Sequence, residues 1–235
     1  QMAGGVRRPV ALRAPDYRLD VAELRAAVTP RTRFVLLNSP HNPTGTVLGP
    51  DELQAVADVA VEHDLVVITD EVYEHLVFDD AVHTPISTLP GMAERTLSLS
   101  SVGKSWSFTG WKVGYITAAP ELLSPIAKAH QFITFTTPPN LQAAVAYGLA
   151  KDDFYFKGLA DELQSKRDRM AKGLRDIGFA VLDCAGTYFI TTDFRPLGFN
   201  GTDEEFCRHI TVEAGVAAVP VSAFYVSGGI DHFAR

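Results

Sequence analysis

The chain has 235 residues, 46% of them hydrophobic and 21% charged, with a formal net charge of −7. That size and balance suit a globular protein of one or two domains. The acidic balance, with no Lys/Arg-rich run to offset it, argues against a general nucleic-acid surface, and no apolar stretch reaches membrane-spanning length.

In chain order, Val10-Ala-Leu12 reads as strand-like almost at once, and Arg33–Asn38 reads as a strand running into the turn Asn42-Pro-Thr-Gly45. Pro50–His63 predicts an amphipathic helix with acids in its first turn. Leu65–Thr69 reads as a buried strand with Asp70 at its carboxyl end, and Thr96–Ser100 as another ending just before Lys104. Val113–Thr117 follows and fits an antiparallel partner. A helix is expected from Pro138 to Leu149 and a long polar one over about Phe154–Ile177. Alternating segments at 179–183 and 187–191, a helix over 203–214 and a strand at 216–219 complete the pattern. The expected architecture is α/β: a mostly parallel, three-layer large domain over 1–153, then a smaller α+β domain over 154–235 with its connecting helix. Two cysteines, Cys184 and Cys207, lack metal-ligand spacing and make a reducing, cytoplasmic setting the default.

The chemistry concentrates in Ser98–Tyr115, where Lys104 lies among hydroxyls and glycines with Lys112 eight positions on. A reactive lysine, an aspartate at a strand end and a small-residue anion loop are the requirements of a pyridoxal phosphate site. Carboxyl ends of parallel strands are also where open α/β sheets bind ligands.

Taken in order, Asn42-Pro-Thr-Gly45, Asp70-Glu-Val-Tyr73 and the Lys104 segment ending in Gly110-Trp-Lys112 resemble the class I/II, fold type I aminotransferases. The Gly-Trp-Lys version is most similar to the kynurenine/glutamine-type, methionine and N-succinyl-diaminopimelate branch; most of the wider family has arginine where Lys112 stands. The resemblance runs from about Val10 to the last residue. It implies transamination between an α-amino acid (apolar, aromatic or glutamine-like) and a 2-oxo acid by a ping-pong Schiff-base mechanism, and a homodimer. Family members are longer, so the chain reads as a fragment lacking the front of the large domain and the very end of the small one.

The resemblance also implies roles. Lys104 holds the cofactor covalently and later shuttles the Cα proton, while Asp70 faces the pyridinium nitrogen. Tyr73 and Asn42 donate to the ring oxygen, and Ser101 and Lys112 bind the phosphate. Ser98, Ser100, Ser105, Ser107 and Thr109 are lesser hydroxyl candidates. Arg235 grips the substrate carboxylate beside Asn42, and Tyr188 lies near the substrate entrance or in the core. Three readings stay open beside the transaminase: a cysteine-conjugate β-lyase using the same residues, a fragment that binds no cofactor and serves as an interaction domain, and a nucleotide-binding domain. The last is disfavoured, because no Gly-rich strand-to-helix fingerprint is visible.

Overall fold

The computed structural model describes residues 4–226 and 230–235. Its first sheet has four strands in the order β1 (Phe34–Asn38), β2 (Val66–Asp70), β3 (Thr96–Ser101) and β4 (Gly114–Thr117). The first three run parallel and β4 antiparallel, as the sequence suggested. Register aligns Asn38 with Asp70 and Asp70 with Leu99, so the carboxyl ends of the three parallel strands share one edge. Everything that follows those strands is therefore delivered to the same side of the sheet.

The helix α1 (Val21–Ala27), which the sequence reading did not single out, begins on Asp20, whose side chain accepts from Glu23 N–H. The expected long helix is α2 (Pro50–Glu62). Pro50 suits its first turn, where a missing N–H is no loss. The Glu52 carboxylate reaches back to the Gly49 N–H at 2.9 Å and also holds the Leu19 N–H at 2.8 Å. Buried residues at 53, 56, 57, 59 and 60 form one helical face. That face packs with Leu65, Val67, Ile86 and Met92 into the main core. Each fully buried aliphatic side chain there contributes about 1.5–3 kcal/mol.

After β3 the chain makes a single helical turn, α3 (Val102–Ser105). Beyond β4 come α4 (Pro120–Ile133), which the sequence reading missed, then α5 (Pro139–Leu149) and the long α6 (Asp153–Asp176). A second, antiparallel sheet holds β5 (Ala180–Val181), β6 (Thr192–Asp193) and β7 (Phe233–Ala234), with α7 (Asp203–Ala214) against it. Its core is aromatic: Phe194 and Phe206 stack at 4.2 Å, with Phe199 edge-on to both.

Three expected strands are not strands. Val10–Leu12 has no sheet partner among the described residues; Glu23 accepts from the Ala11 N–H and the Tyr225 hydroxyl donates to the Leu12 carbonyl. The 187–191 segment is broken at its start by Thr187, at φ +69°, and the strand begins at Thr192 instead. Val219 exchanges two hydrogen bonds with Arg235, but only an isolated bridge at Pro220 results, because β7 is two residues long.

Candidate active site

Side chains from four loops converge over the shared strand edge. At its base, Asn38 joins two strand ends: its Nδ2 donates to the Asp70 carbonyl at 2.8 Å and its Oδ1 accepts from the Asn42 N–H at 2.9 Å. The Asp70 carboxylate accepts from the Val72 N–H at 3.2 Å, which turns the chain so that Tyr73 falls beneath the site. Tyr73 is 2% exposed. Burial, then the neighbouring Tyr188, pushes its phenol well above the ordinary range, so it remains a protonated donor.

The Asn42 turn is closed by His41, whose N–H donates to the Thr46 carbonyl and whose carbonyl accepts from the Gly45 N–H, both at 2.8 Å. Asn42 Oδ1 accepts from Arg235 at 2.6 Å. Arginine has no acceptor, so the amide oxygen must face it, leaving Nδ2 as a donor with no partner among the described residues. The Arg235 guanidinium lies over the Phe189 ring at 4.0 Å and the Phe224 ring at 5.0 Å. Burial pulls Arg235 down from its ordinary value, opposed by Tyr73 and Tyr188. Arginine retains its charge even so.

Lys104 sits on α3, and its Nζ donates to the Tyr188 hydroxyl at 2.9 Å. The same ammonium lies 5.6 Å from the Tyr73 ring centre and 5.5 Å from that of Tyr188. Tyr73 and Tyr188 meet edge-to-face at 5.5 Å. Lys104, Tyr73, Tyr188, Phe189, Arg235 and Asn42 thus form one continuous chain of contacts.

Ser101 and Lys112 are placed differently from the rest. The Ser101 hydroxyl caps α3 by accepting from the Gly103 N–H and donates to the Val113 carbonyl, both at 3.1 Å. Its one proton is already committed. Lys112 is exposed in a left-handed turn at φ +54°, and its ammonium makes no hydrogen bond among the described residues. Of the lesser candidates, Ser100 donates to Glu74 and Thr109 to the Gly103 carbonyl, while Ser107 occupies a left-handed turn. Ser98 and Ser105 have buried hydroxyls without partners. The sequence reading missed Asn38, Phe189 and the His41 clasp. Asn38 could have been noticed as a polar residue ending an apolar strand, in register with Asp70.

The donor set fits pyridoxal phosphate in kind. A lysine amine can take an aldehyde, a strand-end carboxylate can face a pyridinium, and a buried phenol and an amide N–H can meet a ring oxygen. Fold and geometry together define an α/β protein with a lysine-centred cluster of polar and aromatic side chains at the carboxyl ends of its parallel strands.

Comparison with known proteins agrees. Residues 1–233 match the family model for aminotransferase class I and II, and the chain belongs to that family, whose chemistry depends on pyridoxal phosphate. It is 50% identical over 226 residues to a probable N-succinyldiaminopimelate aminotransferase of Mycobacterium tuberculosis, covering 95% of this chain and 56% of that protein. It is 38% identical over 223 residues to the methionine aminotransferase of Escherichia coli, covering 95% of this chain and 58% of that protein. Among solved structures, the N-succinyldiaminopimelate aminotransferase of M. tuberculosis superposes with a TM-score of 0.89 at 45% identity, over 97% of this chain and 58% of that one. An E. coli protein with methionine aminotransferase function superposes at 0.95 and 36% identity, over 99% of this chain and 61% of that one. The chain therefore spans a little over half the length of the relatives it matches.

Proposed function

We propose that this chain carries the lysine half of a pyridoxal phosphate-dependent aminotransferase, acting on an α-amino acid and a 2-oxo acid. The observation that carries this reading is the convergence of Lys104, Tyr73, Asn42 and Arg235 above the Asp70 strand end. When bound, the cofactor supplies an aldehyde for the amine and a ring that accepts the electron pair left at the substrate Cα.

The chain's own residues do the rest. Lys104 would hold the cofactor and, once released, move the proton at the substrate Cα. Asp70 would keep the ring nitrogen protonated by facing it with a carboxylate. Tyr73 and the Asn42 Nδ2 would donate to the ring oxygen. Arg235, oriented by Asn42 and placed over the Phe189 and Phe224 rings, would present the remaining edge of its fork to a carboxylate. Lys112 remains available for the phosphate; Ser101 would first have to release the Val113 carbonyl.

The division into a large unit ending near 153 and a small unit from 154 belongs to the same reading, as do homodimerisation and a cytoplasmic setting. No helix among the described residues is long and apolar enough to cross a membrane.

The test is the absorption spectrum of the purified chain with added pyridoxal phosphate, before and after borohydride, beside Lys104→Ala. An imine band in the parent that borohydride fixes to the Lys104 peptide, absent from the variant, is the expected result. No band in either protein, or equal fixation in both, overturns the reading.

A further inference from the structure

The Tyr188 hydroxyl is reached by a backbone held against its own preference. Thr187, fully buried, sits at φ +69°, a left-handed conformation that β-branched residues rarely adopt. It is pinned there from both sides: its N–H donates to the Leu76 carbonyl at 2.8 Å, and its Oγ1 accepts from the Phe189 N–H at 3.2 Å. Gly186 just before it admits no side chain, since a Cβ would lie 2.8 Å from the Leu76 carbonyl oxygen. The Cys184 thiol closes the turn from behind, within reach of the Gly186 carbonyl at 3.1 Å and the Phe189 carbonyl at 3.0 Å.

What this turn presents is a tyrosine that is 46% exposed. Its ring rests edge-on against Tyr73 and tilted against Phe189, and its half-exposed end puts the hydroxyl 2.9 Å from the Lys104 Nζ. Among the described residues Lys104 makes no ion pair, so the phenolic oxygen is its polar partner. A neutral acceptor has the right strength for such a task. A carboxylate would hold the ammonium tightly, whereas a phenol positions it and lets it go.

We propose that Tyr188 is the positioning residue for Lys104: its hydroxyl is the resting place of the lysine amine whenever that amine is not covalently engaged. The inference rests on reading Lys104 as the cofactor-bearing lysine. A lysine side chain has many rotamers, and an unanchored amine would sweep through them. Tethered to Tyr188 and flanked by two aromatic rings, it returns to one point beside Tyr73 each time it is released. A proton transfer at the substrate Cα gains directly from that fixed starting position.

The experiment uses the 235-residue chain without added cofactor, so that it is independent of the spectroscopic test above. The chain is labelled with trinitrobenzenesulfonate at fixed pH, and mass spectrometry follows the Lys104 peptide against that of Lys128, an exposed lysine on α4. Tyr188→Phe removes the hydroxyl and keeps the ring. The expected result is a rise of about twofold to tenfold in the Lys104/Lys128 labelling ratio, the range of one lost hydrogen bond, with an unchanged melting temperature. An unchanged ratio overturns the inference. So does an equal rise at both lysines, which would make Tyr188 a merely structural residue. If the parent fixes pyridoxal phosphate but the ratio does not move, the positioning role fails and the cofactor site stands; if the ratio moves but no cofactor is fixed, the reverse holds.

Discussion

Acid should loosen the Asn42 turn through His41, and the size of the effect follows from the structure. The Thr44 hydroxyl donates to Thr46 and lies 2.8 Å from His41 Nδ1, so the imidazole donates to it through Nδ1. Burial lowers its pKa from 6.5 to about 4. Between those values the unfolded chain holds a proton that the folded chain lacks, so stability rises with pH across the window. The contribution is fully present above 6.5 and is lost as pH falls toward 4. From pH 7 to pH 5 this amounts to about 1–2 kcal/mol, or about 2–8 °C in melting temperature for a chain of this length. Other groups titrate over the same range, so the comparison is with His41→Gln, which keeps a hydrogen-bonding side chain and removes the titration. Urea melts at the two pH values should show the parent losing about 1–2 kcal/mol more than the variant. Equal losses in parent and variant would refute the assignment of the acid sensitivity to His41.

Three further substitutions probe how the Tyr188 turn is seated. Gly186→Ala should destabilise by about 1–3 kcal/mol, read from urea melts, because the new Cβ would fall 2.8 Å from the Leu76 oxygen and 3.2 Å from both Pro40 and Val47. A neutral result would mean that the 76–78 segment yields freely. Arg167 makes a two-pronged pair with Asp79 at 2.7 and 3.1 Å and also donates to the Cys184 carbonyl at 2.7 Å. Asp79 is 57% exposed, so Asp79→Ala should cost under about 1 kcal/mol. Arg167→Ala also strips the Cys184 carbonyl of a charged donor and should cost about 2–3 kcal/mol; equal costs in equilibrium unfolding would show that the carbonyl contact is idle.

Much of this was legible in the sequence where the signal is local. The apolar run at 65–69 and the alternating Thr-Leu-Ser-Leu-Ser at 96–100 are strands lying largely out of solvent, and the periodicity of 50–62 specifies its buried face. Asp70 could be placed at a strand end for the same reason. Ser101 shows where residue type alone is ambiguous: the hydroxyl expected for a phosphate also has the chemistry of a helix cap, and in the structure it caps α3. Thr187–Thr191 has strand composition, yet the left-handed Thr187 is enforced by Leu76, more than a hundred positions away in the chain. No window of sequence contains that constraint.

The same separation explains why the site needs both sheets. Lys104 and Tyr188 are 84 positions apart, and Asn42 and Arg235 are 193 apart. The first sheet aligns Asn38, Asp70 and the Lys104 turn by parallel register alone, which requires only local strand propensity. The second supplies the two groups that register cannot supply: an acceptor for the amine and a cation seated on aromatic faces. They arrive on segments flanking β6 and β7: the Tyr188 segment is fastened to the first part through backbone, by Thr187 to Leu76 and Ala185 to Gly45, whereas Arg235 pairs its backbone with Val219 and reaches the first part through its side chain on Asn42. A small displacement between the sheets would therefore act on Lys104 and Arg235 at once. The Lys104 amine and the Arg235 guanidinium are coupled by construction, through the contacts of Tyr188, Phe189 and Asn42.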